Sequence, residues 1–287
     1  MNKFCIITNS GIYENKDMAK HIKEYFLAHG AECTVMENRL TKSAAIRHFT
    51  DVEKIPDDTE CALVLGGDGT LVQAAIDLVH IDVPILGVNM GNLGFLTEVE
   101  HQNVDGALDR LLCDDFQIES RMMLKEVSHF KQPDSRSSCY ALNDIVVSKR
   151  GGKPITVRVF LNDDLVDIYT GDGVLISTPT GATGYNLSAG GPVIAPHLKA
   201  MVVTPICPHS LNKRSLVVDA DDNIRLEVGQ TRESVEDLAM VSADGRLVGE
   251  IITDDALEIA VPHAVTKLVK LSPVGFYERM RGKLNGN

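Results

Sequence analysis

Apolar and polar positions alternate in two different ways along the chain. In the first part, short apolar runs are separated by segments whose apolar residues recur at helical spacing. The apolar runs predict strands over residues 4–7, 33–36, 61–66 and 83–89. The helical spacing predicts helices over residues 18–29, 71–79 and 103–113. Alternating strands and helices of these lengths predict a parallel α/β domain over residues 1–115.

The pattern changes after about Asp115. Ile155 to Asp163 alternates apolar and polar residues with a period of two and runs into an Asn-Asp-Asp turn. Further short strand candidates, separated by turn residues, lie at 173–178, 200–206, 215–220, 223–228, 238–245 and 256–261. This pattern predicts an all-β sandwich domain over residues 116–271. The remaining segment, 272–287, contains a candidate short helix.

Composition and charge narrow the classes of partner. The chain has 287 residues, of which 44% are hydrophobic and 24% charged, as in a globular protein with a sizeable core. The formal net charge of -12 argues against a nucleic-acid or anionic-membrane surface, which needs a basic excess. No apolar run approaches the roughly 20 residues of a membrane span. The six cysteines form no CxxC pair, which favours reduced thiols and a cytoplasmic location over a zinc site.

The first candidate for chemistry is the segment GGDGT at 66–70, between a buried strand and a helix. Glycines let a backbone approach an anion, and the amino end of a helix presents unpaired N–H groups to phosphate. The alternative is a tight turn in which Asp68 caps the helix. An aspartate would repel phosphates, so its presence favours a group that takes a proton from a hydroxyl or helps to hold Mg²⁺.

The second candidate is GDGVLISTPTGATGYNLSAGGP at 171–192, a strand that enters a cluster of small and hydroxylated residues. Packing alone does not readily explain so many small and hydroxylated residues in one segment. The alternative is a plain Ser/Thr/Gly loop. Three shorter segments, 87–95, 143–144 and 242–245, are each typical of turns when taken alone.

Together these segments resemble the NAD kinase family over nearly the whole chain. The matching motifs, in order, are GGDGT (66–70), GVNMGNLGFL (87–96), NDIVVSKRG (143–151), the long segment 171–192, TPICPHSL (204–211) and SADG (242–245). The first motif also occurs in phosphofructokinases and diacylglycerol kinases, whereas the long segment is highly specific. The resemblance implies an α/β nucleotide-binding domain plus a β-sandwich dinucleotide-binding domain, with residues 272–287 returning to the first.

The resemblance also implies an activity. Members of the family transfer the γ-phosphoryl of ATP, or in some cases of inorganic polyphosphate, to the 2′-hydroxyl of the adenosine ribose of NAD, which yields NADP. The implied cofactor is Mg²⁺ or another divalent cation, and the implied assembly is a homodimer or homotetramer. The phosphoryl donor, the preference for NAD or NADH and regulation by NADP or NADPH stay open.

Site residues follow from the same resemblance. It implies that Asp68 is the general base, with a further link to metal-phosphate binding. The implied NAD- and ATP-binding positions are Gly67, Gly69, Thr70, Phe95, Asn143, Asp144, Asp172, Thr183, Gly184, Tyr185, Ser188 and Asp244. Within this set, Asn143 and Asp144 match an Asn-Glu pair that holds ribose hydroxyls, so that here the carboxylate is one methylene shorter.

Two other interpretations compete with this one. A lipid or sugar kinase shares the glycine-aspartate turn, but the sequence shows no basic or amphipathic membrane face. A dinucleotide sensor without catalytic activity is the second alternative, and the presence of Asp68, Asn143 and Asp144 argues against it. An assay of phosphoryl transfer from ATP to NAD separates the three.

Overall fold

A computed structural model describes residues 1–9, 13–38, 50–91, 94–127, 139–229 and 237–284. Asn92 and Leu93, which belong to the predicted segment 87–96, lie outside these residues. The chain divides into a first unit, Met1–Arg121 with Thr266–Asn287, and a second unit, Met122–Val265. Within the described part of the chain, no helix has the length and apolar character needed to cross a membrane.

The secondary structure is as follows. The helices are α1 (Tyr13–Ala28), α2 (Asp68–Asp77), α3 (Val104–Leu112), α4 (Tyr185–Ser188) and α5 (Phe276–Leu284). The strands are β1 (Lys3–Asn9), β2 (Glu32–Asn38), β3 (Cys61–Leu65), β4 (Ile85–Asn89), β5 (Val99–Glu100), β6 (Gln117–Met122), β7 (Leu124–Glu126), β8 (Tyr140–Ala141), β9 (Asp144–Lys149), β10 (Ile155–Leu161), β11 (Asp164–Gly171), β12 (Gly173–Ser177), β13 (Ala200–Ile206), β14 (Leu216–Asp219), β15 (Ile224–Gly229), β16 (Leu238–Ala243), β17 (Arg246–Ile252), β18 (Ala256–Ala260) and β19 (Val265–Lys270).

The first unit is built on one seven-stranded sheet. Its strand order is β2-β1-β3-β4-β19-β6, with β5 beside β4, and the pairs of β1 with β2 and β3 and of β4 with β3, β5 and β19 are parallel. All residues of β3 and β4 are buried, as the apolar sequence predicts for central parallel strands. Ile22 and Phe26 of α1 and Leu108 of α3 pack with the sheet in one core.

The strand order reverses direction between β1 and β3. From β1 the chain proceeds outward to β2, whereas from β3 it proceeds to β4 on the other side. In open α/β sheets, ligands bind outside the carboxyl ends of the strands at such a point. The segment 66–70 follows β3 there and leads directly into α2. The fold therefore places the first candidate segment where ligand binding is expected.

Two strands extend this sheet beyond the predicted limits of the domain. β6 and β19 both lie in the first sheet, and β19 pairs in parallel with β4. The unit boundaries consequently fall at Arg121 and Val265 rather than at 115 and 271. The helix predicted within 272–284 is present as α5 and belongs to the first unit.

The second unit consists of two six-stranded sheets. Their strand orders are β11-β10-β15-β18-β7-β8 and β14-β13-β12-β9-β16-β17, and the strand pairs within them are antiparallel. Apolar residues of both sheets form one core, to which Val157 and Leu226 contribute from the first and Val147 and Ile176 from the second. A shared core between two sheets is a sandwich, and the predicted fold class is confirmed.

Two turns of the sandwich adopt the conformation that their sequences predict. Asn162 and Asp163 have φ of 49° and 73° between β10 and β11, and Asp244 and Gly245 have φ of 45° and 75° between β16 and β17. Two consecutive residues with positive φ are typical of the tight hairpin turn that matches the twist of antiparallel strands. SADG is therefore a hairpin tip, which is the structural alternative that its sequence left open.

Candidate active site

Asp68 is held by a neighbouring loop and does not cap its own helix. The residue at the amino-terminal cap of α2 is Gly67, and Asp68 is the first helical residue. Its Oδ2 accepts a hydrogen bond from the Phe95 N–H at 2.7 Å. Its Oδ1 accepts from the N–H groups of Leu96 and Thr97, each at 3.1 Å. Asp68 is therefore not a helix cap. Its carboxylate is fixed instead by three successive backbone amides of the loop at 95–97.

The loop that holds Asp68 is itself well supported. The Thr97 side chain is fully buried, and its hydroxyl lies 3.4 Å from Asp68 Oδ1 while it accepts the Gly94 N–H at 3.0 Å. A Cβ atom on Gly94 would overlap the Asp68 carboxylate. Glycine is consequently required at 94 because the carboxylate occupies the space that any side chain would fill.

The two oxygens of Asp68 differ in their remaining capacity. Oδ1 has three partners, whereas Oδ2 has only the Phe95 N–H among the described residues. A carboxylate oxygen accepts about two hydrogen bonds, so Oδ2 can take a proton or a ligand. The side chain is half-buried, which leaves it reachable from the carboxyl edge of the sheet.

A divalent cation fits this arrangement only if substrate phosphates supply further ligands. Over the described residues, no group of three or more His, Cys, Asp or Glu side chains could hold a metal by itself. Mg²⁺ is usually bound through one or two carboxylates together with substrate phosphate oxygens and water. One carboxylate with a free acceptor position therefore suits Mg²⁺ that arrives with a nucleotide.

The other predicted positions of the first unit surround Asp68. Gly67 and Gly69 are exposed at the amino end of α2, where the first N–H groups of a helix have no intrahelical partner. Thr70 is half-buried in the first turn of the same helix. Phe95, whose N–H binds Asp68, lies with its ring 6.5 Å from the ring of Phe276. The structure thus brings Gly67, Asp68, Gly69, Thr70 and Phe95 together.

In the second unit, the chain passes from one sheet to the other between β8 and β9. Asn143 lies in this connection, and Asp144 is the first residue of β9. The Asp244 carboxylate accepts the N–H groups of Leu142 at 2.7 Å, Asn143 at 2.8 Å and Asp144 at 2.9 Å. In return the Asp244 N–H donates to the Asp144 carbonyl at 2.9 Å. Asp244 therefore anchors the crossover through three successive backbone N–H groups.

The Asp144 carboxyl is buried without such partners. Its residue is 6% exposed, and no hydrogen bond to its side chain is formed by the described residues. Burial, with a smaller contribution from the charge of Asp244, raises the pKa of Asp144 to about 7. Burial also raises the pKa of Asp244 to about 6, although the backbone N–H groups oppose this shift. Asp144 is consequently ready to bind a hydrogen-bonding ligand.

Part of the hydroxyl-rich segment 171–192 is structural. Thr178 is fully buried, its hydroxyl donates to the Leu142 carbonyl at 2.6 Å, and its N–H donates to the Asn143 carbonyl at 2.8 Å. The same hydroxyl accepts the Gly181 N–H at 3.0 Å, and a Cβ atom on Gly181 would overlap the Asn143 carbonyl. The density of Ser, Thr and Gly therefore serves first to fix the crossover.

Asn186 is a further residue that sequence reasoning missed. It is fully buried, donates to the Ala182 and Pro192 carbonyls at 3.3 and 2.9 Å, and accepts the Thr204 hydroxyl at 2.7 Å. These bonds tie the ends of the loop to β13. Its position within YNLSAGGP gave no separate signal, because a buried amide with internal partners cannot be distinguished from a ligand contact in sequence.

The remaining predicted positions are less buried. Asp172 pairs with Lys149, with Nζ 2.5 Å from Oδ1. Burial and the charges of Cys207, Asp144 and Asp172 raise the pKa of Tyr185, so this ring lies within electrostatic range of both carboxylates. Thr183 ends one turn of 3₁₀ helix, Gly184 follows it, and Ser188 is exposed at the end of α4. Ser188 makes no side-chain hydrogen bond to any described residue, and no hydrogen bond joins Tyr185 to Asp144 or Asp172.

Comparison with known families decides the assignment. Residues 4–116 match the ATP-NAD kinase N-terminal domain, and residues 142–271 match the ATP-NAD kinase C-terminal domain. The chain belongs to the ATP-NAD kinase family. The family resemblance predicted from the motifs is thereby confirmed, and the lipid-kinase, sugar-kinase and sensor alternatives are not favoured.

Individual relatives agree with this membership. An NAD kinase of Lachnoclostridium phytofermentans is 43% identical over 286 residues, which cover 99% of both chains. Yeast NADH kinase, solved in complex with NADH, has a TM-score of 0.82 at 22% identity and aligns with all of this chain and 88% of its own. An NAD kinase from Archaeoglobus fulgidus, solved in complex with ATP, has a TM-score of 0.75 at 23% identity and 99% coverage of both. At these identities the solved structures show that the fold is shared.

Proposed function

We propose that this ATP-NAD kinase family member transfers the γ-phosphoryl of ATP to the 2′-hydroxyl of the adenosine ribose of NAD. The products are NADP and ADP. The single observation that carries the proposal within the family is the Asp68 carboxylate, fixed by the amides of Phe95, Leu96 and Thr97 at the carboxyl end of β3. A carboxylate held there with one oxygen still able to accept is suited to deprotonate a bound hydroxyl.

The proposed reaction is an in-line displacement. As the ribose oxygen forms its bond to the γ-phosphorus, the bond from that phosphorus to the β–γ bridging oxygen breaks, and ADP leaves with that electron pair. Asp68 Oδ2 accepts the proton of the 2′-hydroxyl. Phosphoryl transfer depends mainly on positioning and charge stabilisation, so a rigid carboxylate supplies orientation as well as basicity.

Gly67, Gly69 and Thr70 are proposed to contact the phosphates, because the amino end of α2 offers backbone N–H groups without a bulky side chain. Mg²⁺, when bound, supplies positive charge that neutralises the phosphate oxygens. Asp68 would be its protein ligand. Phe95 is proposed to lie against the adenosine.

The second unit supplies the proposed NAD-binding residues. Asn143 and Asp144 present an amide and a carboxyl group without internal hydrogen bonds to their side chains among the described residues, which suits them to ribose hydroxyls. Asp172, Thr183, Gly184, Tyr185 and Ser188 are proposed around the rest of the dinucleotide. Asp244 is proposed to act through the crossover that it anchors, in addition to any direct contact.

Replacing Asp68 tests the assignment. Asp68→Asn keeps the shape of the side chain and removes the base, so turnover with ATP and NAD should fall roughly 10²–10⁴-fold. The matched control is Asp57→Asn, which changes an exposed carboxylate of the same unit and should leave turnover unchanged. Near-normal turnover of Asp68→Asn would end the base assignment. An absence of NADP with the unmodified protein would end the proposed activity.

Further properties stay predictions with direct tests. Initial rates with ATP or polyphosphate, each against NAD and NADH, determine the donor and acceptor. A homodimer or homotetramer is tested by light scattering; the edge strand β11, with Leu165 and Ile168 exposed, is consistent with such an interface. The cytoplasmic location and the lack of nucleic-acid binding likewise stay predictions from composition.

A further inference from the structure

Helix α5 contacts the loop that holds Asp68 along one face. Phe276, Arg279 and Lys283 are spaced three and four residues apart and so lie on the same side of the helix. The Phe276 ring and the Lys283 ammonium approach the Phe95 ring, at 6.5 Å between centroids and 5.2 Å from Nζ to centroid. Arg279, whose side chain is only 8% exposed, lies between these two residues along the helix.

Arg279 reaches the residue that binds Asp68. One guanidinium nitrogen donates to the Thr97 carbonyl at 2.9 Å, and the other donates to Glu98 Oε2 at 2.6 Å. Thr97 is the residue whose N–H and hydroxyl both contact Asp68 Oδ1. Thr97 therefore links the Arg279 guanidinium directly to the carboxylate proposed as the base.

Glu98 makes this contact rigid. Its side chain is 1% exposed and accepts the N–H groups of Leu271 at 3.0 Å and Ser272 at 2.6 Å in addition to the Lys270 ammonium. Burial opposes its ionised form, but bonds to Lys270 and Ser272 and the charges of Lys270 and Arg279 outweigh it and hold the pKa of Glu98 below its ordinary value. The buried ion cluster thus keeps Arg279 in one orientation.

We propose that Arg279 is a positioning residue for phosphoryl transfer, because it fixes the turn at 95–98 whose amides orient the Asp68 carboxylate. The proposal rests on the proposed function, in which Asp68 is the base. It goes beyond the motifs, since α5 lies outside all of them. A base displaced by a fraction of an ångström loses rate without a matching loss of substrate affinity.

The test measures kcat and KM for Arg279→Met, which keeps much of the stem and removes both donors. We expect kcat to fall roughly 10–10²-fold while KM for NAD and for ATP changes by less than about threefold. Arg279→Lys, which can make only one of the two contacts, should recover part of the loss. Arg281→Met, at an exposed position of the same helix, is the matched control and should retain full kcat.

Both substitutions are then repeated in the Asp68→Asn background. If Arg279 acts through Asp68, Arg279→Met should cause no further loss there, since residues that act as a unit are not additive. An equal loss in both backgrounds, or an effect confined to KM, would overturn the proposal. Near-normal turnover of Asp68→Asn alone would instead end the base assignment, and an absence of NADP with the unmodified protein would end the proposed activity, so the failures are distinguishable.

A merely destabilised variant is recognised separately. Far-ultraviolet circular dichroism and thermal melting establish that each variant is folded at the assay temperature. Should Arg279→Met not fold, the comparison of Arg279→Lys in the two backgrounds carries the same test. Loss of kcat in the Lys variant when Asp68 is present, and no further loss in the Asp68→Asn background, supports the proposal; equal losses overturn it.

Discussion

The carboxylates of Asp68 and Asp244 are held by the same pattern of backbone hydrogen bonds but have different roles. Each carboxylate accepts three successive backbone N–H groups, from 95–97 and from 142–144 respectively. Asp244 is half-buried, and desolvation of its carboxyl raises its pKa to about 6. Asp68 is likewise half-buried and keeps an acceptor position on Oδ2. In both residues Oδ2 has a single backbone partner, so the position of the carboxylate distinguishes a candidate base from a structural anchor: Asp68 lies at the carboxyl end of a parallel strand, whereas Asp244 lies at a hairpin tip.

A substitution at Gly94 tests whether the position of the Asp68 carboxylate matters, without changing Asp68 itself. In Gly94→Ala the new methyl group occupies the position of the Asp68 carboxylate, so the carboxylate must move. We expect kcat to fall roughly 10²-fold, because a displacement of about 1 Å is sufficient for such a loss. The measurement is steady-state kinetics beside Gly106→Ala, an exposed helical glycine with open space around it. Unchanged kcat in Gly94→Ala would contradict the tight placement of Asp68.

The Asp144 carboxyl predicts a pH dependence of stability. Its pKa is raised from 3.8 in the unfolded chain to about 7 in the fold, so between these values the folded protein binds a proton that the unfolded chain does not. The free energy of unfolding should therefore decrease as pH rises from about 4 to 7, by up to about 1.4 kcal/mol per pH unit from this group. Above pH 7 the contribution is constant.

Asp144→Asn removes that titration. Urea unfolding between pH 5.5 and 8 should show a shallower decline in the variant than in the unmodified protein, with the remainder due to Asp244 and other groups. Asp163→Asn, at an exposed turn residue, is the control and should leave the slope unchanged. Equal slopes in Asp144→Asn and the unmodified protein would show that the carboxyl titrates normally.

These residue-scale contacts could be predicted only in part. The sequence indicates that Asp68 and Asn143-Asp144 matter, because each follows or precedes an apolar strand. It does not indicate the partners, since the amides that hold Asp68 lie 27 to 29 residues away and Asp244 lies about 100 residues from the crossover. Such contacts depend on how strands associate, which local spacing does not determine.

At the scale of secondary-structure elements, the backbone between β8 and β9 depends for its hydrogen bonds on side chains from elsewhere in the second unit. Leu142 and Asn143 connect two different sheets, so their carbonyl and N–H groups cannot be satisfied by a single ladder. Asp244 takes the N–H groups, and Thr178 takes the Leu142 carbonyl. A hairpin and a loop thus complete the backbone pairing that the crossover interrupts.

Thr178→Val tests this role while preserving the shape of the side chain. The substitution leaves the buried Leu142 carbonyl and the Gly181 N–H without their partner, and each unsatisfied group costs about 1–3 kcal/mol. We expect the free energy of unfolding to decrease by about 2–4 kcal/mol and KM for NAD to rise as Asn143 loses its support. Thr156→Val, which removes a half-buried hydroxyl paired with Thr170, should have a smaller effect on stability and none on KM.

The elements themselves were more predictable than their pairing. The four strands and three helices predicted within residues 1–115 and the hairpin turns at 162–163 and 244–245 follow from local pattern and are confirmed. Several strands were not predicted. RLVGEII in β17 lacks regular alternation, and the two-residue strands β5 and β8 carry no period. No strand was predicted at β6, β7, β11 or β19 either. The residues of β6 and β19 fell within the predicted sandwich domain, because sequence pattern does not reveal a sheet partner distant along the chain.

On the scale of the molecule, each unit has a core of its own. The first contains Phe4, Leu63 and Leu108, and the second contains Val157, Leu226 and Tyr169. Three cysteines, Cys5, Cys33 and Cys61, are buried in the first unit, and Cys139 is half-buried in the second. Cys113 and Cys207 are exposed. The cysteines consequently report on the two cores separately.

Thiol reactivity should follow this division. Burial raises the pKa of Cys5, Cys61 and Cys139 to about 12 and that of Cys33 to about 11, so these thiols are not ionised at pH 8. Mass spectrometry after brief treatment with iodoacetamide should find label at Cys113 and Cys207 alone in the native protein. In increasing urea, label at Cys5, Cys33 and Cys61 should appear together because they lie on three adjacent strands of one sheet, β1, β2 and β3. Cys139 should follow the unfolding of the second unit. Rapid native labelling of Cys5 or Cys61 would contradict the buried parallel sheet that supports Asp68.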